Sequence, residues 1–191
     1  MSLQFWFEFA STYSYPAAMR IEREARARGV ALEWKPFLLG PIFAAQGWTD
    51  SPFNLYPDKG RYMWRDLERI CARLGLPLSR PRIFPQNSVL AARVACMAAK
   101  ETWCGAYVRA VYSANFAEGR DISQPEVVDA CLRAAEAPAG LLEKVADHKG
   151  LLRANTDEAR ERGIFGAPSF VVGDELFWGN DRLEEALAWE R

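Results

Sequence analysis

The chain has 191 residues, of which half are apolar and 13% aromatic, and its formal net charge is −1. These values exclude a disordered chain and predict one compact domain with a substantial core. The near-neutral charge gives no reason to expect a nucleic acid or an acidic membrane as partner. No apolar run approaches the roughly 20 residues of a membrane-spanning helix, and the first residues, MSLQFWFEF, lack the basic and apolar regions of a signal peptide. We therefore expect a soluble, cytoplasmic protein.

The first elements form a strand–helix–strand unit. The alternating, aromatic-rich LQFWFEF predicts a strand over residues 3–9. Apolar residues at helical spacing predict a helix over residues 13–28 that ends at Gly29, and ALEWKPF predicts a second strand over residues 31–37. Two strands joined in this way by a helix are expected to lie parallel.

The middle of the chain is predicted to be helical. An irregular segment over residues 40–60 precedes predicted helices over residues 58–75, 87–103, 104–117, 124–135, 138–147 and 151–162. SFVVGDELFWG then predicts a hairpin with a Gly-Asp turn, and NDRLEEALAWE predicts a short helix that Asn180 caps.

This order of elements predicts an α/β fold of the thioredoxin-like type, with an α-helical insertion between its βαβ and ββα halves. Residues 1–57 and 163–191 are predicted to form the thioredoxin-like domain, and residues 58–162 the helical insertion domain.

The cysteines and the single histidine predict no catalytic or metal site. Cys71, Cys96, Cys104 and Cys131 lie in predicted helices, with neither a C-x-x-C pair nor metal-ligand spacing to His148. We expect buried, structural thiols and no bound metal. Because no serine and aspartate in the sequence are obvious catalytic partners of His148, a Ser-His-Asp hydrolase is not expected.

The stretch FASTYSYP contains the S-x-x-S sequence Ser11-Thr12-Tyr13-Ser14 between the first strand and the first helix. A thioredoxin-like protein would carry C-x-x-C at this place. Without a cysteine there, thiol–disulfide exchange has no protein nucleophile, so a disulfide oxidoreductase is excluded. The sulfur could instead arrive on a ligand. The alternative is that Ser11 or Ser14 only caps the helix.

Five stretches carry a family resemblance: FWFEFASTYSYPA, NLYPDKGRYMWRDLER, FPQNSVLAARVA, NFAEGRDIS and GIFGAPSFVVGDELFWGNDRL. In order and over nearly the whole chain, they resemble DsbA-like proteins without redox cysteines. The resemblance is strongest to the 2-hydroxychromene-2-carboxylate isomerase family, which has kappa-class glutathione transferases as near relatives. It implies glutathione as cofactor, a small aromatic keto acid as substrate and a homodimer.

The resemblance assigns the catalytic role to Ser11, in contact with the sulfur of glutathione. A hydroxyl can donate a hydrogen bond to a thiolate, and a helix amino terminus adds partial positive charge. A charge-assisted hydrogen bond contributes about 1.5–3 kcal/mol, which is enough to lower a thiol pKa by one or two units. Pro168 is implied to be a cis-proline that turns the Ala167 backbone towards the cysteinyl part of glutathione. The alternative is an ordinary proline at the start of a strand.

The other implied contacts divide between cofactor and substrate. Asn180 and Asp181 would hold the γ-glutamyl end of glutathione, and Asn54 and Lys59 would lie near it, although a loop lysine is equally often only solvated. The implied substrate-side residues are Tyr13, Arg61, Trp64, Phe84, Asn87 and Phe116. Aromatic residues at helical spacing also occur in a core, which is the alternative for these positions.

The resemblance implies conversion of 2-hydroxychromene-2-carboxylate, or a close aromatic analogue, to trans-o-hydroxybenzylidenepyruvate by reversible thiolate addition, in the catabolism of aromatic hydrocarbons. One alternative is a kappa-like glutathione transferase or peroxidase, which would consume glutathione. Another is a redox-inactive thioredoxin-like binding module that grips peptides at the Pro168 edge.

Overall fold

The computed structural model describes residues 2–189. The strands are β1 (Ser2–Phe7), β2 (Ala31–Pro36), β3 (Ser169–Val172) and β4 (Glu175–Trp178). The helices are α1 (Ser14–Ala18), α2 (Ile21–Ala27), α3 (Leu39–Ala45), α4 (Pro52–Leu55), α5 (Pro57–Leu74), α6 (Val89–Ala98), α7 (Cys104–Phe116), α8 (Pro125–Ala134), α9 (Leu141–Lys144), α10 (Lys149–Glu161) and α11 (Leu183–Ala188). Short 3₁₀ helices cover Val145–His148 and Asn180–Arg182. None of these helices is long and apolar enough to cross a membrane.

The strands form one sheet in the order β2-β1-β3-β4. β1 pairs parallel with β2 and antiparallel with β3, and β3 pairs antiparallel with β4. The parallel βαβ unit and the GD hairpin are therefore confirmed. So is the thioredoxin-like fold with helices inserted between its two halves, because α3 to α10 lie between β2 and β3.

The side chains of β1 alternate between two cores. Phe5 and Phe7 point into the larger core, where the Phe5 ring stacks on that of Phe170 with 5.6 Å between centroids. Trp6 points to the opposite face and packs with Phe37 and with Ala159 of α10. Since helices cover both faces of the sheet, β1 is aromatic on both sides rather than polar on one.

Two boundaries near the amino terminus differ from the sequence-based prediction. β1 ends at Phe7, not at residue 9, because the chain turns there and the Ser11 N–H donates to the Glu8 carbonyl at 2.9 Å. The single helix predicted over residues 13–28 is two helices, α1 and α2, separated at Met19 and Arg20. The break accompanies hydrogen bonds from the Arg20 side chain to distant residues, which local helical spacing does not reveal.

Three further boundaries differ. The segment predicted as irregular contains α3 and α4, with Pro41 and Pro52 in their first turns, where proline is tolerated. The helix predicted over residues 138–147 is the short α9 followed by a 3₁₀ helix. The last predicted helix begins as a 3₁₀ turn, and its predicted end at Glu190 lies outside the described residues.

One buried cluster extends across the proposed boundary between the thioredoxin-like part and the insertion. It contains Phe5 of β1 and Phe170 of β3 together with Met63 of α5 and Tyr107 of α7. The residue limits of the two domains stay a prediction.

The strand order gathers four chain ends at one edge of the sheet. β1, β2 and β4 end there, and β3 begins there, since Phe7 pairs with Pro36 and Ser169 pairs with Trp178. The Ser11 turn, the loop before α3, the Ala167–Pro168 segment and the turn after β4 are therefore neighbours in space.

The contact between α4 and α5 gives a testable prediction. A Cβ on Gly60 would lie 2.2 Å from the Phe53 carbonyl oxygen, whereas a Cβ on Gly150, in α10, meets nothing within 4 Å. Gly60→Ala should destabilise the protein by about 1–3 kcal/mol, because the two backbones must separate. Gly150→Ala should stabilise it by about 0.4–1 kcal/mol. Urea denaturation measures both free energies of unfolding, and equal effects would contradict the close approach.

Candidate active site

A cleft of about 1800 Å³ opens at this edge of the sheet. Its wall combines the ends of the strands with parts of α3, α5 and the segment that leads into α6. Eight of the residues expected from the sequence line it: Ser11, Tyr13, Lys59, Phe84, Asn87, Ala167, Asn180 and Asp181.

Ser11 faces the cleft and does not cap a helix. Its Oγ donates a hydrogen bond to the Ala167 carbonyl oxygen at 2.8 Å, across 156 positions of sequence. The residue before α1 is Tyr13, and no side chain within residues 2–189 caps that helix. Ser14 is fully buried, so the two serines of S-x-x-S have different surroundings. Because α1 has only five residues, its dipole provides less positive potential at Ser11 than the dipole of one long helix would.

The segment opposite Ser11 begins β3. The peptide bond between Ala167 and Pro168 is cis, as the resemblance implies. Ala167 lines the cleft, and Pro168 lies behind it, where its carbonyl oxygen accepts a hydrogen bond from the Gly179 N–H at 2.9 Å. This bond ties the start of β3 to the turn that follows β4.

Arg20 holds that turn in place. Its Nη2 donates to the Asn180 carbonyl oxygen at 2.6 Å and to Asn180 Oδ1 at 3.0 Å, and its Nη1 pairs with Glu184. The prediction that Asn180 caps the last helix is wrong, because its side chain accepts from Arg20 instead. The Arg20 Nε is buried and has no partner among the described residues. Asp181 also lines the cleft, with an exposed side chain.

Three polar residues expected near the ligand lie at or beyond the outer rim. The Lys59 ammonium lines the cleft and lies 5.4 Å from the centre of the Tyr56 ring. Asn54 is not part of the lining, and its Nδ2 donates to the Phe84 carbonyl oxygen at 3.0 Å, which joins α4 to the opposite wall. Arg61 is not part of the cleft lining, is exposed and pairs with Asp58.

The aromatic residues divide between cleft and core. Tyr13 and Phe84 line the cleft, and the Tyr13 hydroxyl donates to Asp66 at 3.0 Å. Burial, reinforced by that carboxylate, raises the pKa of the Tyr13 phenol. Trp64 and Phe116 are buried in the larger core and do not line the cleft. Their helical spacing therefore fits packing in the core, which was the alternative to a role in a substrate pocket.

A second aromatic pair completes the cleft wall. Phe43 and Trp48 both line it, with 5.4 Å between ring centroids, and Phe53 follows on α4, 6.3 Å from the Tyr13 ring. Sequence reasoning missed these residues because they lie in the segment that was predicted to be irregular.

The cysteines take no part in the cleft. Cys71, Cys104 and Cys131 are buried and Cys96 is half-buried, and all four are free thiols. Burial raises the pKa of Cys71 and Cys131 to about 11 and that of Cys96 and Cys104 to about 12. Such thiols stay protonated at neutral pH and are poor nucleophiles.

Glu8 is a buried carboxyl on the floor of the cleft that sequence reasoning also missed. It is 5% exposed, and its Oε2 accepts a hydrogen bond from the Leu39 N–H at 2.9 Å, while the Ser88 hydroxyl donates to its Oε1. Burial raises the pKa of this carboxyl, and the hydrogen bonds only partly oppose that effect. Its signal in the sequence is an acidic residue inside the otherwise apolar run FWFEFA.

Comparisons with known proteins agree with this geometry. The model of the DSBA-like thioredoxin domain matches residues 2–188. A 2-hydroxychromene-2-carboxylate isomerase of Sphingobium xenophagum is 31% identical, over 96% of this chain and 94% of its own. Glutathione S-transferase kappa 1 of Homo sapiens is 27% identical, over 96% of this chain and 88% of its own. A solved 2-hydroxychromene-2-carboxylate isomerase superimposes with a TM-score of 0.85 at 27% identity, over 96% of this chain and 91% of that one.

The chain belongs to the 2-hydroxychromene-2-carboxylate isomerase family of DsbA-like proteins. It is thus an enzyme of the isomerase and transferase branch of that fold. In this isomerase-family chain, the place of the redox cysteines is taken by one serine that faces the cleft and one that is buried.

The Glu8 carboxyl gives a prediction on stability. Its pKa in the folded protein lies above the ordinary value of 4.5, so its contribution is fully present below that pH and is lost as the pH rises through the folded-state pKa. Glutamine does not titrate. The stability of the wild type relative to Glu8→Gln should therefore fall as the pH rises above about 4.5, through the raised pKa of the folded-state carboxyl.

Urea denaturation at a series of pH values measures this difference in the free energy of unfolding. Glu126→Gln changes an exposed acid on α8 and serves as the control. A Glu8→Gln difference that is independent of pH would show that the carboxyl is not perturbed by burial.

Proposed function

We propose that this chain is a glutathione-dependent isomerase that converts 2-hydroxychromene-2-carboxylate, or a close aromatic analogue, to trans-o-hydroxybenzylidenepyruvate. We place the reaction in the catabolism of aromatic hydrocarbons, and we propose a cytoplasmic homodimer as the working form. The observation that carries the proposal is the Ser11 hydroxyl, hydrogen-bonded to the Ala167 carbonyl oxygen at 2.8 Å in a cleft that no described cysteine lines.

The charges around the cleft fit glutathione, which carries two carboxylates, one ammonium group and a thiol. Arg20 has a buried Nε to which no described residue bonds, and Lys59 supplies a second cation at the far rim. Asp181 and Glu184 line the same side as Arg20 and could receive the ammonium group. The Ala167 backbone in the same cleft offers peptide groups to the cysteinyl residue, in the manner of strand addition.

The chain's own residues prepare a thiol rather than supply one. Ser11 can rotate its hydroxyl from the Ala167 carbonyl to a thiolate, since a hydroxyl donates only one hydrogen bond at a time. When bound, glutathione supplies a thiolate that adds reversibly to the conjugated double bond, so that rotation becomes possible and the double bond re-forms as trans. The hydrogen bond from Ser11 contributes about 1.5–3 kcal/mol to keeping that sulfur ionised.

The second half of the cleft fits a flat aromatic substrate. Phe43, Trp48 and Phe84 give it apolar walls, and Asn87 adds a polar group at the rim. A wall of aromatic rings binds a planar aromatic acid by offset or edge-to-face contact and excludes water from the reacting double bond.

A kappa-like glutathione transferase is the second candidate, because the human relative that matches most of this chain carries that name. The same Ser11 and Ala167 arrangement would serve it. The two differ in stoichiometry: an isomerase regenerates glutathione in every turnover, whereas a transferase consumes one molecule per product.

The proposal predicts the behaviour of two serine variants. Wild type should bind glutathione as the thiolate at a pH below the ordinary thiol pKa of about 8.5, and Ser11→Ala should raise the pKa of the bound thiol by about one or two units. Ser14→Ala, at the other serine of the motif, should keep the wild-type signal. The ultraviolet absorbance of the thiolate during a glutathione titration measures all three.

Free glutathione is then followed during turnover of the chromene substrate. An unchanged concentration supports the isomerase, and stoichiometric loss supports the transferase. If wild type neither binds glutathione nor ionises it, both proposals fall, and a peptide-binding module becomes the better explanation.

A further inference from the structure

Glu8 is the one buried acid in the described part of the cleft floor that the proposed function does not yet use. Glu8 bonds to three segments of the cleft. Its carboxyl accepts hydrogen bonds from Leu39 N–H at the start of α3 and from the Ser88 hydroxyl just before α6, and its backbone carbonyl accepts one from Ser11 N–H. An ionised carboxylate at such a site carries a desolvation cost of several kcal/mol unless a cation compensates it. No salt bridge to Glu8 occurs among the described residues.

The strand order places the segment that bonds to the Glu8 carboxyl on the β2 side of Ser11, the side that we assign to the substrate. β3 and β4 lie on one side of β1, so Ala167 and Asn180 border Ser11 there. β2 lies on the other side of β1, and the chain that leaves it provides Leu39, the hydrogen-bond donor to Glu8. A glutathione that occupies the Ala167 and Asn180 side therefore directs its sulfur towards a substrate on the Glu8 side.

The hydrogen bonds that Glu8 accepts favour the ionised carboxylate and so oppose the effect of burial, but none of them requires a charge on the carboxyl. The Leu39 N–H donates to Oε2, which needs no charge on the carboxyl. A serine hydroxyl can accept as well as donate, so a proton on Oε1 can be given to Ser88 Oγ. The third neighbour is Tyr112 of α7, whose phenol donates to the Glu8 backbone carbonyl at 2.9 Å. These groups are all neutral at neutral pH, and burial raises the pKa of the carboxyl.

We infer that Glu8 is an acid–base catalytic residue of the proposed reaction. It donates a proton to the ketone oxygen of the substrate and later accepts that proton back. If a thiolate adds to the conjugated double bond, a C–S bond would form, and the π electron pair would move through the carbonyl group to that oxygen, which takes the Glu8 proton and leaves a carboxylate. When the double bond re-forms, the oxygen would return the proton to Glu8, and the C–S bond would break with its electron pair returning to sulfur. No proton is gained or lost in a complete cycle.

This inference rests on the proposed function, and the isosteric variant Glu8→Gln tests it. A general acid of this kind contributes about 100-fold or more to the rate. We expect kcat to fall by about that factor in Glu8→Gln, while the affinity for glutathione and the thiolate absorbance stay as in wild type. Glu126→Gln is the matched control, since it makes the same change at an exposed acid on α8 that does not line the cleft.

The outcomes separate a chemical role from a structural one. A lowered kcat with unchanged affinity for glutathione in Glu8→Gln, beside a Glu126→Gln variant as active as wild type, supports proton transfer. Equal losses in both variants, or a Glu8→Gln variant as active as wild type, would overturn it. A wild type that shows no isomerase activity removes the proposed function, and the role of Glu8 falls with it.

A second measurement uses only the unliganded wild type and does not depend on the folding of a variant. The ¹³Cδ chemical shift of Glu8 reports its protonation as the pH is changed. The inference requires a carboxyl that is still protonated at about pH 7. Titration near the ordinary value of 4.5 would overturn it, whatever the activity of the variants.

Discussion

β1 pairs with a parallel strand on one edge and with an antiparallel strand on the other. The site depends on this pairing. Because β2 runs parallel to β1 while β3 runs antiparallel to it, the Ser11 turn has the end of β2 on one side and the start of β3 on the other. Aromatic packing on both faces of the strand fixes its register: Phe5 contacts Phe170 on one face, and Trp6 contacts Phe37 on the other. A slip of one residue would exchange these faces and turn Ser11 away from Ala167.

That arrangement gives the two sides of Ser11 different chemistry. The side towards β3 and β4 offers the Ala167 backbone and the turn held by Arg20, which suits a charged, peptide-like molecule. The side towards β2 offers a buried acid and aromatic walls, which suits a flat keto acid. Under the proposed function, a fold used elsewhere for protein thiols would hold a thiol that a ligand brings. The desolvation of the buried Glu8 carboxyl costs stability, and its hydrogen bonds from Leu39 and Ser88 partly offset that cost.

The sequence allowed the fold to be predicted, for physical reasons that are local, whereas the candidate site residues came from a family resemblance. Strand alternation, the GD turn and the order of the elements are short-range signals, and the S-x-x-S and GAPS motifs carried the resemblance that pointed to Ser11 and Ala167. The role of Arg20 could not be read in this way, because its partner Asn180 lies 160 positions away and the contact replaces a predicted helix cap. The helical spacing of Trp64 and Phe116 fits a core residue and a pocket residue equally well. Only their packing in the structure distinguishes the two roles. Phe43 and Trp48 were missed because α3 contains Gly40 and Pro41 in its first turn.

The position of the bound thiol is most directly tested by a glutathione titration followed by the backbone amide resonances of the isotopically labelled protein. If the sulfur binds between Ser11 and the start of β3, the largest shifts should occur at Ser11, Ala167 and Asn180, with smaller ones at Leu39 on the opposite side. Shifts confined to the α5 or α10 surfaces, or no shifts at glutathione concentrations in the millimolar range, would contradict a glutathione site at this edge of the sheet.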